Sequence, residues 1–321
     1  MDGKPLETKT TASTRHSTTT AGGGYGNNGR DNIATKKDTT TALSTEEQLR
    51  RELGLGLEDS MDLGMDDSLV GGDGGGLVRL MVSGTTTLDG TITSNGGNGT
   101  QYASYETGGG AGGGIYLSTD HFQGSGVIRA NGGLSYTGSG SGSGGRIALY
   151  YATASSTATP AVTALGGLQG QNVSRRGAAG TIYTKIASEP AGNITIDNNG
   201  YTTQASASVG ADVVNNVLVG VGASMETTPT TFTILGDLTN DGVTNLSANI
   251  STVEGAVNNS GTLNLSSPTL NVQGDFTSTS TSPSTGIVNL TSATTNLWGD
   301  LINNDGIFTA TAGTVFLKAT T

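Results

Sequence analysis

The most constraining feature of this chain is a register held across its last third. Gly236, Gly255 and Gly274 stand 19 residues apart, and Gly299 opens a fourth copy after a longer step. A second glycine closes each opening turn, at Gly242, Gly261, Gly286 and Gly306. From that closing glycine to the next opening one the distance is 13 residues in all three closed copies. Within those 13 residues the third place is Asn245, Asn264 and Asn289, and the fourth is Leu246, Leu265 and Leu290. The eleventh is Val253, Val272 and Leu297. The last copy keeps Leu317 at the eleventh place but carries Thr309 and Ala310 where Asn and Leu stand elsewhere. Polar low-complexity text does not hold Leu and Asn in step in separate columns.

A repeat of this length, without helical apolar spacing, is the mark of a stacked β-architecture. We expect each 19-residue unit to form one rung of a parallel β-helix, with rungs about 4.8 Å apart. The Leu and Val columns should then point inward and stack, and the Asn column should form a ladder of side-chain amides. The Ser/Thr/Pro stretch before Gly286 should be a surface loop, as insertions in solenoids are.

A looser grammar precedes this. Gly-rich runs lead into short apolar alternations: Gly74–Gly76 into Leu77–Val82, Gly112–Gly114 into Ile115–Leu117, Gly144–Gly145 into Arg146–Tyr151, and Gly180 into Thr181–Thr184. Second strands answer them at Thr91–Thr93, Val127–Arg129 and Val162–Ala164. The expected unit is strand, turn, strand and Gly-rich corner, because glycine takes φ > 0 freely and lets backbones approach closely.

The fold class read from these patterns is all-β, a parallel β-helix preceded by a disordered N-terminal segment with one short helix. The division is 1–68 as disordered linker, 69–190 as a Gly-rich β-helix module, and 191–321 as the solenoid of 19-residue repeats, truncated within a repeat. The short helix is placed at about 45–53. Ser44 and Glu47 make a capping box there, Leu49 and Leu53 share a face, and Gly54 ends the run.

Charge and composition remove several function classes. The net charge is −11. From Ala191 onward Lys318 is the one base, against Asp197, Asp212, Glu226, Asp237, Asp241, Glu254, Asp275, Asp300 and Asp305. Such a surface repels phosphate backbones, so no nucleic-acid partner is expected. There is no cysteine, which removes disulfides, thiol catalysis and cysteine metal sites. The two histidines, His16 and His121, do not make a histidine metal cluster. No metal and no cofactor are expected. No stretch is long and apolar enough for a transmembrane helix, and Met1–Thr20 is polar, without an apolar signal core.

The phrases Gly236-Asp237-Leu238-Thr239-Asn240-Asp241-Gly242 and Asn258-Asn259-Ser260-Gly261-Thr262-Leu263-Asn264-Leu265 resemble the β-helical repeats of filamentous-haemagglutinin-like adhesins and other giant bacterial surface proteins. The similarity covers about Leu235–Ala319. The segment from Gly71 to Tyr151 resembles Gly-rich parallel β-helix modules of large secreted proteins. These resemblances imply secretion, a rod shape and adhesion or wall association, and they carry no catalytic residue onto this chain.

The function expected is therefore a non-catalytic structural or adhesive rod of a secreted or cell-surface protein. Its partners would be a cell surface, a polysaccharide or a host or matrix glycan. Tyr116, Tyr150, Tyr151 and Trp298 are the candidate carbohydrate contacts, since aromatic rings offer sugars a flat apolar face. One rival is a carbohydrate-binding or polysaccharide-degrading β-helix, for which Asp89, Glu106, Asp120 and His121 are the acids and base to watch. Another is an N-terminal docking peptide at Ser44–Leu53 with the solenoid as spacer. A final rung without a cap would expose strand edges, so end-to-end stacking with itself or with a continuation is also expected.

Overall fold

A computed structural model describes residues 70–318, except 103–104, 137, 156–158, 169–172, 267–268, 281–284 and 292–293. The short helix expected at 45–53 and the insertion at 281–284 lie outside the described residues. The described chain is a parallel β-solenoid in which short strands alternate with turns and glycine-rich runs.

The first module contains β1 (Leu77–Met81), β2 (Thr85–Thr87), β3 (Thr91–Thr93), β4 (Gln101–Tyr102), β5 (Tyr105–Glu106), β6 (Gly114–Gln123), β7 (Val127–Arg129), β8 (Arg146–Ala154), β9 (Ala161–Thr163) and β10 (Thr181–Ile186). Strands β1, β6, β8 and β10 pair in parallel, β2 pairs beside β1 on the long β6, and β3, β7 and β9 form a second, three-stranded sheet. Ile115, Leu117, Ile128, Ile147 and Leu149 fill the space between the sheets.

The Gly-rich runs are more than corners. They lie side by side as a packed block, hydrogen-bonded in two directions. The N–H groups of Gly72 and Gly75 donate to the next rung at Gly108 and Ala111, and those of Gly109 and Gly112 to Gly140 and Ser143. One residue on, Gly110 and Gly113 donate sideways to Gly97 and Ser94, and Gly142 and Gly145 donate to Gly133 and Ala130. Each set recurs every third residue, which is the pitch of an extended helix with about three residues per turn. A Cβ on Gly110, Gly133, Gly142 or Gly177 would lie within 2.0 Å of a neighbouring carbonyl oxygen. Close approach, not backbone handedness, demands glycine at these four positions, since none has a positive φ.

The second module begins with β11 (Asn193–Ile196) and has three faces. The first face continues from β11 through Val217–Val219, Leu238–Asn240, Val257–Asn259, Phe276–Thr279 and Leu301–Asn304. The second runs from Ala207–Val209 to Ile307–Ala310, and the third from Val213–Val214 to Thr314–Leu317, each six strands deep. Leu246, Leu265 and Leu290 pair vertically, as do Val253, Val272 and Leu297. All six are buried. Asn245, Asn264 and Asn289 point outward and form an amide ladder, with Nδ2 donating to the preceding Oδ1 at 2.7 and 2.8 Å. A second outward ladder joins Asn296 to Asn271 at 2.9 Å.

Two further devices hold the rungs. Asn240 and Asn259 are fully buried, and their amides meet at 2.7 Å while each also donates to a backbone carbonyl at Thr262 or Ile287. At the corner entering the first face, a side-chain oxygen accepts the N–H of the next rung. Asn193 serves Asn216, Asn216 serves Asp237, Asp237 serves Ala256 and Asp275 serves Asp300. Ala256 has no such oxygen, and the chain of clamps is broken there.

The two modules share one eleven-stranded sheet, but the core changes sides within it. Strand β10 pairs with β8 in parallel and with β11 antiparallel. Ile182 packs on the first core, while Tyr183 faces the other way, opposite Ile194, and packs on the second. Strand direction and buried face both reverse at this junction, and the chain advances along the sheet without turning back. The two reversals cancel, so both modules coil with the same hand about axes on opposite sides of the shared sheet. Beside the sheet, a seam of side-chain bonds joins Asn198 to Gly166 and Arg176 to Thr202 and Thr203.

Candidate functional site

The change of buried face creates the most distinctive surface of the molecule. The outer side of β1, β6, β8 and β10 faces the same way as the body of the second module, which begins one strand further on. That outer side is therefore a ledge, closed at one end by the first rung of the second module.

The alternation of strand side chains places the residues. Arg79, Tyr116, Ala148 and Tyr183 fall in one row across the strands, and Met81, Ser118, Tyr150 and Lys185 in the next. The tyrosine rings meet between rows. Tyr116 and Tyr150 have centroids 5.2 Å apart, and Tyr150 and Tyr183 are 5.7 Å apart. The Arg79 guanidinium lies 5.6 Å over the Tyr116 ring, within the range of a cation–π contact. All three tyrosines are half-buried, so one face or edge of each is open to solvent. Burial, with the neighbouring Tyr183 and Tyr116, pushes the Tyr150 hydroxyl above its usual pKa. Arg146 on β8 is exposed on the same side, and the Lys185 ammonium donates to the backbone oxygen of Glu189 at the closed end. The wall there is tight, because a Cβ on Gly192 would run into the Tyr183 ring.

Two of the four aromatic candidates thus come together, Tyr116 and Tyr150. Tyr151 does not join them: it is next along β8 and so points inward, packing on Phe122 at 5.9 Å and on the first core. Its hydroxyl pKa is raised first by burial and then by Glu189. Trp298 follows the third-face strand Thr294–Leu297, half-buried, with its backbone N–H donating to the Val272 carbonyl. It lies several rungs from the tyrosines. Tyr183 and Arg79 were missed as site residues. Tyr183 sits in the recognised phrase Thr181–Thr184, yet only its pairing with β8 reveals which side it faces.

The repeat residues are structural in position. Gly255, Gly274 and Gly299 sit where a Cβ would come within 2.7 Å of the preceding rung's backbone. Gly236 closes on Asn216, and Gly242, Gly261 and Gly306 are equally confined by preceding turns. Gly286, at φ 66°, is the one repeat glycine held in the left-handed region.

Of the acids considered for polysaccharide cleavage, Asp89 and Glu106 are engaged locally. Asp89 accepts from the backbone and hydroxyl of Ser125 at 3.0 and 3.2 Å. Glu106 accepts from the N–H of Gly138. His121 shares a hydrogen bond with Thr153 at 2.7 Å, and Asp120 is exposed on β6. Among the described residues no three His, Cys, Asp or Glu side chains form a group suited to a metal ion. No helix of the described residues is long and apolar enough to cross a membrane.

The fold defines a parallel β-solenoid with repeats. Comparison with models of protein families, with curated proteins and with solved structures found no match for this chain.

Proposed function

We propose that this chain is a structural or adhesive rod of a secreted or cell-surface protein, similar in kind to the filamentous-haemagglutinin-like adhesins, and that it works without catalysis. The observation that carries this reading is the eleven-stranded sheet running through both modules. Ladder bonds, Asn amides and corner clamps all join one rung to the next, so the chain's order is spent on axial extension. The carbohydrate-binding form of the same reading is favoured by the Tyr116–Tyr150 pair on the outer face. Trp298 offers a separate aromatic contact further along.

Retention of the full chain on glycan-coated and matrix-coated surfaces tests this. We expect retention that the double variant Tyr116→Ala/Tyr150→Ala weakens, with no reducing ends or unsaturated products released from a polysaccharide panel. Turnover of any polymer in that panel would refute the non-catalytic reading.

A further inference from the structure

We propose that the ledge on the outer side of β1, β6, β8 and β10 binds an acidic polysaccharide laid along the solenoid axis. This rests on the adhesive reading above and adds the chemical class of its ligand.

The argument begins with charge. Between Val70 and Pro190 the sequence carries Arg79, Arg129, Arg146, Arg175, Arg176 and Lys185 against Asp73, Asp89, Glu106, Asp120 and Glu189. Beyond that the acids dominate, with Lys318 the sole base. In a chain of net charge −11, three of those six cations, Arg79, Arg146 and Lys185, lie on the ledge. The acid facing this side is Asp120, exposed two residues along β6 from Ser118, while Glu189 lies near the inward-pointing Tyr151. The Glu189 carboxylate accepts from Asn193 at 2.8 Å.

Shape and surface chemistry agree. Three rung spacings of about 4.8 Å give the floor a length of about 14 Å between the Arg79 and Tyr183 strands, the span of a short oligosaccharide. The tyrosine rings supply apolar faces at successive rungs, spaced as sugar rings in an extended chain need. Guanidinium groups pair with carboxylates through two parallel N–H bonds, so Arg79 and Arg146 suit uronic-acid carboxyls or sulfate esters. The open end exposes Leu77 (77%) and Met81 (67%), which flank Arg79 on β1 and widen the apolar floor there. The wall at Gly192 and Tyr183 closes the other end and sets where the bound chain must stop or turn outward.

Binding to polygalacturonate and to the same polymer fully methyl-esterified tests the inference. The full chain should hold polygalacturonate, lose it as salt rises, and bind the ester about tenfold more weakly or less, because the charged hydrogen bonds are gone. The double variant Arg79→Gln/Arg146→Gln should lose about tenfold for polygalacturonate and little for the ester. Tyr116→Ser should weaken both. Unchanged thermal unfolding of the variants separates lost contacts from lost fold. Equal affinity for the two polymers, abolished by Tyr116→Ser, would overturn the acidic class and leave glycan adhesion standing. Retention of neither polymer by the unaltered chain would overturn the inference, whatever surface retention shows. Retention of single-stranded DNA as strongly as polygalacturonate would mean that the ledge reads charge alone, and would overturn it too.

Discussion

Replacing Gly142 by alanine is the sharpest test of the packed glycine block. The added Cβ would lie 1.8 Å from the carbonyl oxygen of Gly110 and 2.3 Å from its carbon. An ordinary contact begins near 3.4 Å, so the two backbones must part by about 1.6 Å. Gly142 donates to Gly133 at 3.0 Å and accepts from Gly167 at 2.8 Å, and neither bond survives such a shift. Each lost backbone bond with its groups left buried costs about 1–3 kcal/mol. The narrower unfolded ensemble of alanine returns about 0.4–1 kcal/mol. The net expectation is a loss of about 1–5.5 kcal/mol, taking both bonds as broken. Urea unfolding followed by circular dichroism measures it, and hydrogen exchange should show lost protection at Gly133, Gly142 and Gly167. Gly76→Ala is the matched control, since nothing lies within 4 Å of its Cβ and its φ is not positive. That change should be neutral or stabilise by up to about 1 kcal/mol. A Gly142→Ala protein as stable as Gly76→Ala would refute the account of Gly142 as a backbone contact too close for a side chain.

Three other expectations follow from the stacking. Leu265→Ala empties the centre of a vertical column between Leu246 and Leu290, and should cost about 2–5 kcal/mol in denaturant unfolding; a loss under about 1 kcal/mol would mean the columns are loosely packed. Ala256→Asn restores the missing corner clamp toward Asp275 and should add about 0.5–1.5 kcal/mol, read as a raised unfolding midpoint. Tyr150 and Tyr151 have hydroxyl pKa values raised above the unfolded value of 10.0. Their contribution to stability is therefore present below pH 10 and lost as pH rises through the folded values, because the unfolded chain ionises first. Tyrosinate absorbance should show these two rings titrating late, with the ledge loosening as Tyr150 ionises and the first core as Tyr151 does.

The 19-residue rung was legible because Leu, Asn and Val recur in separate columns at fixed spacing, and a rung that adds no insertion cannot change its length. The two rungs before Leu235 escaped that reading. Ile194 pairs with Val217 and Val217 with Leu238, at steps of 23 and 21 residues, so their corners differ in length and the columns drift. The glycine block was read as a set of turns because a run of glycines has no side chain to show a period. Its three-residue repeat exists only in the directions of N–H groups. The ledge was half legible. Aromatic residues at strand positions were visible, but facing is set by register with the next strand, and a single step along β8 separates outward Tyr150 from inward Tyr151. Nothing in the local sequence of β10 and β11 marks the exchange of sides, since Tyr183 and Ile182 are both good strand residues.

That exchange also insulates the halves of the molecule from each other. The two hydrophobic clusters touch opposite surfaces of one sheet and share no buried side chain. Disturbance passes between the interiors through β10 and the seam beside the sheet, not through a shared core side chain, so lesions placed well inside the two should combine by near addition. Rungs can be gained or lost from either stack while the other keeps its shape, which makes the pair a joint between two independently adjustable lengths.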